Sequence, residues 1–250
     1  MKKIVRILLG LVVLLLVLGV VAILFIGSIV KTGVEKVGPV VTKVPVKLDA
    51  ANISVFSGSG TLKGFVLGNP EGFKSPEAVK VGSMSLALVP MSVLGDKVVI
   101  HSIRVEAPEI SYETDLKGSN LGRILDNISS GEKQPAESKP GEKSKGAQKK
   151  LQVDEFLITG AKVHATAPLV GTYTVPLPEI KLTDLGQGPD GITVADLSKK
   201  VMTALVEATT KAAADGLKNA GKGVQGLEGS ATDTLKKGAS GLGDLFKKKQ

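Results

Sequence analysis

Ser83-Met84-Ser85-Leu86-Ala87-Leu88 alternates residue by residue, with Met84, Leu86 and Leu88 on one side and Ser83, Ser85 and Ala87 on the other. Successive strand residues point to opposite faces, so this stretch is a strand with one apolar face to bury. The reading extends over 44–113. Val98 and Ile100 share a face, and Ile103 and Val105 resume it after a slip of one residue. Such a slip predicts a bulge around His101–Ser102 or a break between two strands. Pro108-Glu109-Ile110-Ser111-Tyr112-Glu113 alternates again. Asn69-Pro70-Glu71-Gly72 suits a type I turn, and Val89-Pro90 and Gly95-Asp96 mark further breaks.

Downstream, residues 129–150 hold alanine as their only apolar side chain type and no β-branched or aromatic residue. Such a segment buries too little to offset its ordering entropy and is expected to be disordered. Strands return at Val153–Ile158, at Ala161–Thr166 with Val163 inward and His164 outward, and at Thr172–Leu182. The interruption therefore reads as a loop inserted in one sheet. The last sixty residues differ. Thr193 with Asp196 begins a capping box, and Val194, Leu197, Val201, Leu205, Ala208 and Ala212 recur at helical spacing up to a stop near Gly216. A glycine-diluted pattern follows, Val224, Leu227, Ala231, Leu235, Leu242 and Phe246, closing on Lys247-Lys248-Lys249. It is either a loose helix on a bilayer or on the sheet, or a solubilising tail.

The N-terminus carries the strongest single signal. From Ile7 through Leu16 to Val30 run 24 residues without a charge. About 20 apolar residues cross a hydrocarbon core of about 30 Å. Lys2, Lys3 and Arg6 also suit a signal peptide, but its apolar region is shorter and ends in a small-residue cleavage site, and Ala22–Ser28 offers no A-x-A. The expectation is a retained transmembrane anchor over 7–30, with 1–30 as cytoplasmic tip and anchor. Its N-terminus is cytoplasmic and its body lies outside, although Lys31, Lys36, Lys43 and Lys47 nearly balance the flanks. The body then divides into a strand-rich domain, 31–192, and a helical and Gly/Lys-rich tail, 193–250.

Composition narrows the chemistry. The net charge is +8, yet the lysines gather near the anchor, in the 129–150 segment and in the tail. No aromatic-studded basic surface accompanies them, so nucleic acid is not expected as a partner and an anionic bilayer is. There is no cysteine and no tryptophan. The two histidines, His101 and His164, lie 63 residues apart with no carboxylate cluster, so no metal site is expected. Gly216–Gly223 approaches a phosphate-binding loop, but Gly223 stands where Ser or Thr must hold magnesium, and the segment follows a helix. Gly58-Ser59-Gly60 with Gly64 has the wrong spacing for a dinucleotide loop. No G-x-S-x-G occurs. No catalytic residue, cofactor or enzymatic activity is expected.

The run Gly60-Thr-Leu-Lys-Gly-Phe-Val-Leu-Gly-Asn-Pro-Glu-Gly-Phe73, the strand ending at Val89-Pro90, and Lys97–Glu113 resemble the N-terminal repeat of the AsmA-like family. The signature is a strand, then Asn69-Pro70-x-Gly72-Phe73, then strands ending at Pro108-Glu109-Ile110, behind one N-terminal anchor. Asn120-Leu121 with Ile124-Leu125 resembles the short helix that follows, and Val175–Gly186 the closing segment of short members. The likeness covers roughly 1–128 and 151–215. It implies a bacterial inner-membrane protein with a curved, antiparallel, taco-shaped periplasmic sheet. Longer relatives resemble chorein-type bridges that carry lipids along an apolar groove. The resulting expectation is an α+β fold: transmembrane helix, curved antiparallel sheet and C-terminal amphipathic helices. Its function is non-enzymatic, either lipid handling or envelope maintenance. Met84, Leu86, Leu88, Val98, Ile100, Ile103, Val105 and Ile110 form an inner face that is either a core covered by the helix at 194–215 or an open groove for phospholipid acyl chains. The alternative is a tethered scaffold binding an envelope protein partner through its C-terminal helices.

Overall fold

The computed structural model describes residues 2–54, 56–115, 118–131, 149–167 and 171–218, with helical backbone alone at 2–3, 5–6, 8, 12 and 15–24. The first helix, α1 (Lys2–Thr42), runs 12 residues beyond Val30. Residues 31–42 are thus helical and not part of the strand-rich body expected from 31 onward. Val30, Val34, Val37 and Val41 recur at helical spacing, and Val34 and Val41 pack on the core, which keeps the helix going. Pro39 lies within its last turn, and Lys43 closes it at φ 58°, its amide donating to the Pro39 carbonyl at 3.0 Å. Among the described residues no helix is long and apolar enough to cross a membrane.

Eleven strands follow among the described residues: β1 (Val46–Lys47), β2 (Ala50–Ser54), β3 (Ser59–Gly68), β4 (Glu77–Leu88), β5 (Lys97–Glu106), β6 (Glu109–Asp115), β7 (Gly118–Ser119), β8 (Lys150–Thr159), β9 (Lys162–Ala167), β10 (Gly171–Pro176) and β11 (Ile180–Leu185). The sheet order is β10-β9-β6-β4-β5-β8-β11, and β3 pairs the other edge of β4, with β1 and β2 beyond it. Helix α2 (Asn120–Gly131) follows β7, and a helix over 194–218, α3, follows β11.

The sheet is strongly curled, like half a barrel. Its bends lie on one line. β5 and β6 sit end to end along one edge of β4, and β8 and β9 run beside them. The two junctions meet: Ala107 (φ 45°) donates its amide to Thr159 at 2.8 Å, and Gly160 (φ 64°) lies against Ala107. On the other side Gly64 (φ 62°) bends β3 where a Cβ would collide with the Asp49 side chain. Left-handed backbone at these three points turns the strands together.

Two features differ from an all-antiparallel taco. β8 pairs β5 in parallel, and β9 pairs β6 in parallel. Parallel neighbours need a crossover, and the chain between β6 and β8 is long enough to return to the starting end of β5. The slip in β5 is a bulge within one strand: Ala87 opposes Ser102 while Leu88 opposes Ile100, leaving His101 unpaired between them. Both ends of the segment expected to be disordered lie in regular structure. Residues 129–131 belong to α2 and Lys150 begins β8, while 132–148 lie outside the described residues.

At the start of α3 the Asp196 amide donates to Thr193 Oγ1 at 3.0 Å, and the Thr193 hydroxyl donates to Asp196 at 2.6 Å. The helix, expected to stop near Gly216, is described to 218. Gly216 is instead a point of close approach, since a Cβ there would stand 2.5 Å from Val175. The pattern at 224–246 lies outside the described residues.

Candidate functional site

The concave face of the sheet is roofed by α1 and α3, and the roof leaves a cavity of about 490 Å³. Its floor is built by Phe65 and Leu67 of β3, Val79, Val81 and Met84 of β4, and Phe156 and Ile158 of β8. Val30, Val34 and Val37 of α1 form one side of the roof; Val194, Val201, Met202 and Leu205 of α3 form the other. The polar side chains on the wall are Thr42 and Ser198. The Thr42 hydroxyl donates to the Gly38 carbonyl at 2.9 Å. Val37 and Val194 line the cavity yet stay 40 % and 37 % exposed, so it is open between the two helices. A void of this size falls within the ~300–1,000 Å³ of small-molecule sites. With almost no polar lining, it offers an occupant van der Waals contact and few hydrogen bonds.

The floor stays apolar across changes of strand phase. Val81 and Met84 both face the cavity although three residues apart, because the strand changes phase at Gly82–Ser83, beside the Gly64 bend. β8 behaves alike: Val153 opposes Ile100, and Phe156 opposes Ile103 across the His101 bulge. Of the expected inner-face residues, Met84, Val105 and Ile110 line the cavity itself. Leu86 opposes Ile103 and Leu88 opposes Ile100, extending the same face beyond it as a half-buried strip, with Val98 next along β5. Sequence reasoning missed the contributions of α1 and of β3 and β8. The valines at helical spacing over 30–41 were the available signal.

The roof is fastened by the chain's two tyrosines. Tyr112 Oη meets Thr210 Oγ1 at 3.2 Å, and Tyr173 Oη donates to the Ala213 carbonyl at 2.9 Å. Burial, with the neighbouring Tyr112, pushes the Tyr173 phenol above its ordinary range.

The motif Asn69-Pro70-x-Gly72-Phe73 lies apart from the cavity and serves the fold. Asn69 closes its own loop, donating through Nδ2 to the Ser75 carbonyl at 2.7 Å. Its Oδ1 accepts from Asn120 Nδ2 at 2.8 Å. Asn120, fully buried at the start of α2, also donates to the Ser111 carbonyl at 2.7 Å and accepts from the Glu113 amide at 3.1 Å. Glu113 in turn accepts from the amides of Lys74 and Ser75 at 2.9 and 2.7 Å. Burial alone would push the Glu113 carboxyl up. The hydrogen bonds from Ser75 and Lys74, with the Lys74 charge, outweigh it and hold the group below its usual range. Arg123 stacks over Phe73 at 4.7 Å and pairs with Asp115. Gly72 adopts φ 95°.

Both histidines lie at the surface. His101 Nδ1 stands 2.9 Å from Asp154 Oδ2, and His164 Nδ1 stands 2.9 Å from Thr174 Oγ1. Hydrogen bonds from Gln152 and then from His101 hold the Asp154 carboxyl low. Among the described residues no group of three or more His, Asp or Glu could hold a metal ion.

The model of the AsmA family matches residues 57–226, more than half of the chain. The chain belongs to the AsmA family. The match takes in the floor of the cavity from β3 onward and the whole described extent of α3, while α1 precedes it. No curated protein matches the chain, and no solved structure does.

Proposed function

We propose that this AsmA-family protein is a non-enzymatic, membrane-anchored handler of phospholipid acyl chains in the bacterial envelope. The observation that carries the reading is the apolar cavity, roofed by α1 and α3 and open between them. Apolar surface held open to solvent is costly unless something fills it, and an acyl chain matches a lining of valine, leucine, methionine and phenylalanine.

The anchor belongs to this reading. Gly27 packs so closely on β2 that a Cβ would meet the Ala51 carbonyl at 2.1 Å. From there toward the N-terminus α1 leaves the body, and its described apolar side chains from Ile7 to Phe25 are exposed. In the sequence the uncharged run from Ile7 to Val30 extends about 36 Å at 1.5 Å per residue, and that run, not the described residues alone, is what supports a span across a hydrocarbon core of about 30 Å. Ile7 lies in that exposed stretch, Leu16 in the part given as backbone alone, and Val30 already lines the cavity. The N-terminus is assigned to the cytoplasm and the body to the periplasm.

The scaffold alternative draws on the covered inner face, since α3 spends its apolar side, Met202, Leu205 and Ala213, on the sheet. The cover, however, is incompletely filled. The deciding experiment is mass spectrometry of lipids carried by the full chain beside Val37→Trp, which places an indole in the opening. Bound phospholipid in the parent, falling at least severalfold in the variant at an unchanged melting temperature, is the expected result. A parent free of lipid would reject the acyl-chain reading.

A further inference from the structure

One end of the body presents an apolar tip. The β2–β3 turn carries Phe56, 84 % exposed, and the 3₁₀ turn Pro90–Leu94 carries Met91 and Leu94, 73 % and 80 % exposed. The two turns are locked together. Leu88 donates its amide to Gly58 at 2.7 Å, and Gly58 sits so close to Leu88 and Pro90 that no side chain would fit there. Ser92 Oγ donates to the Val89 carbonyl at 2.6 Å and accepts from the Val99 amide at 2.9 Å, holding Met91 and Leu94 outward on a rigid turn.

Basic residues ring this tip. Lys149 Nζ donates to the Val93 carbonyl, and the Lys150 amide donates to Asp96 at 3.1 Å. Lys97 pairs in register with Lys150 and donates to Gly188 at 2.8 Å. The carboxylates nearby are those of Asp96, Asp190 and Asp154, the last reached from Lys97 through Gln152, so the lysines balance them one for one and offer a bilayer their ammonium groups without a net charge.

The tip's place relative to α1 says what it faces. Ile26, Gly27 and Ser28 run beside Ala51–Ser54 and Ser59–Thr61, so Phe56 stands at the end of the body from which the apolar part of α1 departs. A bilayer entered by that helix would meet Phe56, Met91 and Leu94 first. Exposed apolar side chains ringed by lysines are the composition of an interfacial contact: hydrocarbon beneath the headgroups, ammonium groups among the phosphates.

We propose that Phe56, Met91 and Leu94, with Lys97, Lys149 and Lys150, dock the body onto the headgroup layer of the membrane that holds α1, fixing the body upright on its anchor. The proposal rests on the anchor reading above, and the test separates the two.

The chain has no cysteine, so one introduced cysteine takes one label. Full-length Phe56→Cys, Leu94→Cys and Glu106→Cys, each labelled with bimane, are reconstituted in nanodiscs of phosphatidylethanolamine and phosphatidylglycerol carrying doxyl-labelled lipid. Leu94 and Glu106 flank opposite ends of β5, about 30 Å apart at 3.3 Å per residue. Quenching at 56 and 94 at least fivefold stronger than at 106 is the expected result. Protein that fails to co-elute with the nanodiscs overturns the anchor, and the docking with it. Co-eluting protein with equal, weak quenching at all three sites overturns the docking alone. Disulfide-linked dimers of unlabelled Leu94→Cys without lipid quenching would assign the tip to a second copy of the chain and overturn it too.

Discussion

Replacing Asn120 by alanine should cost the body more than any other single truncation of a polar side chain outside the cavity. The amide side chain is fully buried and makes three hydrogen bonds: to Asn69 at 2.8 Å, to Ser111 at 2.7 Å and from the Glu113 amide at 3.1 Å. Each bond contributes about 1 kcal/mol net, and a buried group left unpaired costs about 1–3 kcal/mol. Asn120→Ala strands the Glu113 amide and the Ser111 carbonyl in the interior, so the loss is roughly 3–5 kcal/mol. For a domain of this size about 1 kcal/mol moves the melting temperature by about 2–4 °C. The shift should therefore be on the order of 10 °C, read by circular dichroism on the full chain in detergent. Asn127→Ala, which loses one bond to the Thr42 carbonyl, should shift it by about a third of that. Equal, small shifts for both variants would refute the assignment of Asn120 as the link between the Asn69 loop, β6 and α2.

Three further outcomes are expected. The Glu113 carboxyl is held low in the fold, so its contribution is fully present above its ordinary value of 4.5 and disappears as pH falls through the lower folded value; Glu113→Gln should flatten the acid limb of a melting-temperature profile over that range. Gly64→Ala should destabilise far more than Gly160→Ala, because the first meets the Asp49 carboxylate at 1.9 Å and the second meets only ordinary contacts at 3.7 Å, both at positive φ; urea denaturation of the pair checks this. Thr209 Oγ1 is buried without a hydrogen-bond partner among the described residues, so Thr209→Val should raise the melting temperature by a few degrees, and a fall would show that the hydroxyl has a partner, water included.

The residues by themselves determined much of what is local and periodic, the valine repeat over 30–41 excepted. Alternation at 83–88 located β4, the slip between Ile100 and Ile103 located an irregularity that the pairing resolves as a bulge and not a break, and Thr193 with Asp196 located the start of α3. The spacing and the motif also carried the family, because Asn69, Gly72 and Phe73 answer to a loop geometry that constrains the residue types directly. What only the tertiary structure decided depends on contacts between distant segments. The parallel placement of β8 beside β5 is set by where the crossover returns the chain, which no local pattern records. The helix beyond Val30 persists because its valines find the concave sheet, and Gly216 stays helical because Val175 and Tyr173 approach it. The cavity is the clearest case. A period-two strand and a period-3.6 helix each announce a face to bury, but whether two buried faces meet fully or leave a space between them is fixed by side-chain volumes packed from nine elements at once.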